Sequence, residues 1–133
     1  MSNRYFKLTT FIIITLTMTG CAISNTKFFS NVEQSTDPTY GYTAENPIKI
    51  KNADLGNSIN SSYYYLSRLR TSRGNKLNLI IQIATQNPKS HKFSIIDKYL
   101  LKPENEVDTI RIYIDPYSKG VVKIPYGLTF ENE

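Results

Sequence analysis

Tryptophan is absent from this 133-residue sequence, and cysteine and histidine each occur once, as Cys21 and His91. A single cysteine excludes an internal disulfide and a thiolate zinc cluster, and a single histidine excludes every multi-histidine metal site. The six glycines are scattered, which removes the glycine-rich loop that cradles phosphate on backbone N–H groups. No serine is bracketed by glycines in the manner of a nucleophile elbow. The length allows one ordinary domain and excludes a large α/β barrel or a two-domain dinucleotide enzyme. No cofactor is implied by what remains. The chain is 40% hydrophobic and 20% charged, the composition of a globular protein rather than a disordered one.

The N-terminal residues read as an export signal. Arg4 and Lys7 form a positive start, and the apolar stretch from Leu8 to Met18 has the length of a signal core. Four threonines dilute that stretch, a fifth follows at Thr19, and it falls short of the about 20 apolar residues that a membrane span requires. Met18-Thr19-Gly20-Cys21 then resembles the lipobox of bacterial lipoproteins: an apolar residue, two small ones and a cysteine. The resemblance implies cleavage before Cys21 and diacylglycerol on its thiol. Further acylation of the new amine would strengthen an anchor that a single chain makes only marginally. Ala22 stands where an inner-membrane retention aspartate is found in enterobacterial lipoproteins. The resemblance therefore favours an outer-membrane location facing the periplasm, with inner-membrane anchoring and surface exposure left open.

The expected organisation is a signal peptide over 1–20, a lipidated N-terminus and flexible tether over 21–39, and one domain over 40–133. Without Arg4 and Lys7 the balance is 14 basic to 11 acidic side chains, or +3. Such a balance makes no case for nucleic acid, which calls for a concentrated basic stripe. Residues 22–39 are rich in Ser, Asn and Thr and, if extended, would reach about 60 Å.

Within the domain, Ile48 and Ile50 alternate as a short edge strand after Pro47. Ser58 or Asn60 is placed to cap a helix running to about Arg70, with Ser62, Tyr65, Leu66 and Leu69 on one face. Leu77, Leu79, Ile81 and Ile83 alternate with Asn78, Ile80, Gln82 and Ala84, predicting a strand with one strongly apolar face. Phe93–Leu101 and Ile110–Ile114 predict two more strands, and Val121–Ile124 a short edge piece. The expected fold class is α+β, one helix on a mainly antiparallel sheet of three to five strands.

Several short motifs carry a resemblance. Tyr40-Gly41-Tyr42-Thr43, Glu45-Asn46-Pro47-Ile48-Lys49, Tyr65-Leu66-Ser67-Arg68-Leu69-Arg70, Asp97-Lys98-Tyr99 and Ile112-Tyr113-Ile114-Asp115-Pro116-Tyr117 are similar to a family of small, uncharacterised bacterial lipoproteins. Lys51-Asn52 and Tyr126-Gly127-Leu128 depart from the glycine pair and the Pro-Lys-Gly-Phe that such proteins show at those places. The resemblance implies a fold and a location, and no active site.

Candidate chemistry is thin. Asp97 and Asp115, with Glu104, Glu106 and Asp108 between them, would serve hydrolysis only as a carboxylate pair about 5–9.5 Å apart across a cleft. His91 sits in a polar turn beside Ser90 and Ser94. Nine of ten tyrosines follow the signal, and tyrosine suits protein interfaces and sugar stacking alike. Tyr63, Tyr64 and Tyr65 cannot all point inward from a helix, so a Tyr63/Tyr64/Arg68 face is the expected partner-binding surface. The functional expectation is a non-catalytic lipoprotein, anchored through Cys21, that binds another envelope protein. The alternative is a lipoprotein that binds envelope glycan or inhibits a lytic enzyme.

Overall fold

The computed structural model describes residue 29 and residues 31–51, 58–90 and 94–131. Its elements in chain order are β1 (Ile48–Lys49), α1 (Ser58–Arg68), β2 (Leu69–Thr71), β3 (Leu77–Gln86), β4 (Ile95–Pro103), β5 (Ile110–Asp115) and β6 (Leu128–Phe130). Four strands form a sheet in the order β1-β5-β4-β3, and β2 and β6 form a separate ribbon. Every pairing is antiparallel except β1 with β5. The class is α+β, as the alternation predicts.

Periodicity explains where α1 lies. Ser61, Ser62, Tyr65, Leu66 and Leu69 are all buried, a stripe at the three- and four-residue spacing of a helix face. The sequence expectation ran this helix to Arg70, whereas the chain turns extended at Leu69. Leu69, Arg70 and Thr71 pair instead with Phe130, Thr129 and Leu128. Side chains and strand satisfy the helix end that this exposes. The Arg70 guanidinium donates to Ser67 O at 2.6 Å, and Glu131 N–H donates to Arg68 O at 2.8 Å. Those carbonyls have lost the next helical turn that would have bonded them, and a cation at a helix C-terminus also suits the dipole.

The core lies between α1, the β2–β6 ribbon and one face of the sheet. Ile48, Tyr65, Leu69, Tyr99, Ile112 and Ile114 are fully buried there. Gly41 lets the loop before β1 close over this core. Its φ is +77°, and a Cβ at that position would stand 2.9 Å from Ile48 Cδ1.

The folded unit begins earlier than Tyr40. Ser35 N–H donates to Ile124 O and Ile124 N–H donates to Glu33 O, both at 2.8 Å, making a parallel bridge at Gln34. Gln34 Nε2 donates to Pro125 O at 2.7 Å. Phe29 packs its ring against Tyr64, Tyr65 and Phe130. Residues 31–39 are therefore part of the domain and not tether. Ser, Asn and Thr in this stretch form turns; Asp37, for instance, accepts from the backbone and hydroxyl of Thr39. The piece expected over Val121–Ile124 joins this bridge through Ile124.

Candidate functional site: the free edge of the sheet

Strand β3 ends the sheet, so among the described residues its outer backbone edge has no strand partner. Leu79 lies opposite Leu101 and Ile81 opposite Leu100, so two steps along β3 match one along β4 and Ile80 is the extra residue of a bulge. A bulge exchanges the faces. Leu77 and Leu79 share the core face with Leu101 and Pro103, but beyond the bulge Gln82 takes the place opposite Tyr99. The Tyr63 hydroxyl of α1 donates to Gln82 Oε1 at 2.6 Å, which places Gln82 on the helix side. Ile81 and Ile83 consequently stand with Leu100 and Lys98 on the opposite face, which is open along β3 but buries Ile96 of β4. The strict alternation read from sequence would have kept all four aliphatic residues on one side.

The result is an uncovered apolar edge. Leu79, Ile80, Ile81, Ile83 and, on β4, Ile95 are between 41 and 53% exposed. Ala84, Thr85, Gln86 and Ile95 line a shallow hollow of about 220 Å³ at the far end of the strand. From Leu77 to Gln86 no residue is charged, and none is Pro or Gly. Of the other exposed large apolar residues, Tyr63 reaches β3 through Gln82, and Val107, Tyr117, Val121 and Tyr126 lie elsewhere in the chain.

The expected Tyr63/Tyr64/Arg68 face divides. Tyr63 is 42% exposed and rests edge-on against Tyr99. Tyr64 is half-buried and stacks on Phe29 at 5.9 Å. Arg68 is 8% exposed, donates twice to Glu131 O and lies 4.8 Å from the Phe130 ring centroid. Its guanidinium is engaged in holding the C-terminal strand.

The carboxylates do not form a pair across a cleft. Asp97 is in register with Ile114, so Asp115, the next residue, points to the opposite face of the sheet. Asp115 accepts from the N–H groups of Tyr117 and Ser118, both at 3.0 Å, and thereby shapes the turn after β5. Asp97 lies beneath α1, where the Tyr99 hydroxyl reaches it at 3.4 Å. Burial pushes the Tyr99 and Tyr65 hydroxyls above their ordinary value, so both stay protonated donors. Glu106 accepts from Asn75 Nδ2, and Glu104 and Asp108 are exposed. Ser90 and Ser94 are half-buried, and Cys21 and His91 lie outside the described residues.

The edge was missed in the sequence because position within a sheet is not a local property. One local signal existed: Leu79-Ile80-Ile81 is a three-residue break in the alternation. No family model, curated protein or solved structure matches the chain, so its class rests on geometry: a small α+β module with an unguarded sheet edge.

Proposed function

We propose that this chain is a non-catalytic module, held at a membrane by lipid on Cys21, that works by binding an envelope protein through the β3 edge. The observation that carries the reading is a ten-residue edge strand without a charge, bordered by five half-exposed aliphatic side chains. Solitary edge strands are ordinarily short or guarded by lysine, proline or an inward charge. Apolar patches of this kind mark contact sites on otherwise polar surfaces. The Met18-Thr19-Gly20-Cys21 motif supports the anchor. The contact is assigned to β3 rather than α1 because Tyr64 and Arg68 are occupied within the domain.

A photoreactive residue at Ile83, in living host cells, tests the contact against the same residue at Tyr126, which is exposed elsewhere. A discrete protein adduct from Ile83 and none from Tyr126 is expected. No adduct at Ile83, or the same adducts at both positions, ends this reading. Mass spectrometry of the mature N-terminus tests the anchor separately, and an unmodified Cys21 removes it.

A further inference from the structure

We infer that the occupant of the β3 edge is β3 of a second copy, paired antiparallel about a twofold axis at Gln82 to give one eight-stranded sheet. This rests on the reading of β3 as a protein-binding edge and names the partner. An antiparallel edge is self-complementary, because the same row of N–H and C=O groups meets itself under a twofold rotation.

The order of residues along β3 fits that axis. With Gln82 opposite its own mate, Ile81 falls opposite Ile83, and Ile83 opposite Ile81. All four lie on the open face and form a contiguous aliphatic cluster, the cross-strand pairing that stabilises sheets. On the helix side the two Gln82 amides meet at the axis. Each has its oxygen held by Tyr63, and in the pair its amide nitrogen would donate to the other copy.

Charge supports self-pairing over a partner chosen by electrostatic steering. Such a partner would read charged groups, and β3 has none from Leu77 to Gln86. The nearest basic residue on the open face is Lys98, opposite Ile83 on β4. It would lie three strand spacings from its mate, about 14 Å. That exceeds the Debye length of about 8 Å at physiological salt, so the pairing incurs little repulsion.

The exit point of the N-terminal segment fits as well. A twofold axis between antiparallel strands runs perpendicular to the sheet and keeps each face on its own side. Phe29, where the described chain begins, packs against Tyr64, Tyr65 and Phe130 in the layer of α1 and the β2–β6 ribbon. Both copies would therefore present Phe29, their first described residue, on the same side, as two anchors in one membrane require. The open face points the other way, which argues against its lying on that membrane. The aliphatic patch of Ile81 and Ile83 is small beside the about 800 Å² per partner of a standard interface. Such an interface is weak in free solution and is populated when anchoring raises the local concentration.

The test uses the full-length chain in membranes of its host. Gln82→Cys places two thiols face to face at the axis, whereas Lys102→Cys places them on separate β4 strands. Under mild oxidation Gln82→Cys should give a disulfide-linked dimer, and Lys102→Cys and the wild type should not. Adding Ile81→Lys and Ile83→Lys to Gln82→Cys brings four like charges to the axis and should reduce the dimer at least tenfold. Both isoleucines are exposed, and unchanged protease resistance of the monomer would show that the fold is kept. Absence of the Gln82→Cys dimer, or a dimer indifferent to the lysines, overturns the inference. The photoreactive residue at Ile83 separates the two failures. An adduct with a different protein overturns self-pairing and leaves the binding edge standing, while no adduct of any kind removes both.

Discussion

Three tyrosine hydroxyls hold the segment from Val121 to Tyr126, which has few ladder bonds of its own. Tyr65 donates to Lys123 O at 2.6 Å, Tyr42 donates to Tyr126 O at 2.7 Å, and Tyr40 accepts from Lys123 N–H at 3.0 Å. Three of the nine tyrosines that suggested an interface from sequence are spent in this way, since a buried ring that ends in a hydroxyl can reach backbone a hydrocarbon leaves unsatisfied. Tyr65→Phe keeps the ring and strands the Lys123 carbonyl. It should cost about 1–3 kcal/mol, read as a lower urea midpoint with an unchanged slope. Gly41→Ala should cost a similar 1–3 kcal/mol, because the methyl would meet Ile48 Cδ1 and φ is in the left-handed region. Asp37 gives a prediction in pH. The Thr39 N–H, followed by the Thr39 hydroxyl and Asn46 amide, holds its carboxyl below the ordinary 3.8. A depressed carboxyl contributes stability that is complete above its unfolded value and is lost as pH falls through the folded one. Asp37→Asn should therefore flatten the fall of Tm below pH 3.8 and leave the neutral region without a pH slope of its own.

At the scale of elements, the legible part came from periodicity. The stripe through Ser62, Tyr65 and Leu66 located α1, and the alternations at Ile110, Ile112 and Ile114 and at Leu77 onward located β5 and β3. Strand β6 escaped because three residues, Leu128–Phe130, carry no period of their own. They become a strand only because β2 is there to pair with. The same non-local pairing converted Leu69 and Arg70 from helix to strand. The bulge at Ile80 lies between these cases, visible as a broken alternation yet without a stated consequence until Leu100 and Leu101 are placed opposite it. It makes a sharp test. Deleting Ile80 leaves Ile81 opposite Leu100 in an unbroken ladder, so stability should change by less than about 1 kcal/mol. Deleting Gln82 instead slips the strand, drawing Ile83 toward the place opposite Tyr99 and exchanging the faces of the residues from there to Gln86. Its cost should be about 2–4 kcal/mol, so thermal melts of the two deletions should differ clearly.

The whole molecule is tied together by its first and last described segments, which makes the domain boundary a measurable quantity. From sequence the fold would start at Tyr40, and residues 22–39 would be a tether of about 60 Å. With Phe29 packed against the core and Gln34 bridged to Ile124, the described part of that stretch belongs to the fold. A chain that starts at Tyr40 loses the backbone bonds between Ser35 or Glu33 and Ile124, the Gln34 bond to Pro125 O and the ring contacts of Phe29. Each lost bond leaves an Ile124 or Pro125 group without its partner, at about 1 kcal/mol or more. Removing an aromatic from a packed site adds to that. The expected total is about 3–5 kcal/mol, a large share of the 5–15 kcal/mol that holds a typical domain together. For a domain of this size that is a fall in Tm of more than about 10 °C. A chain that starts at Phe29 should melt with one that starts at Cys21. Equal melting of the chains from Phe29 and from Tyr40 would return residues 29–39 to the tether.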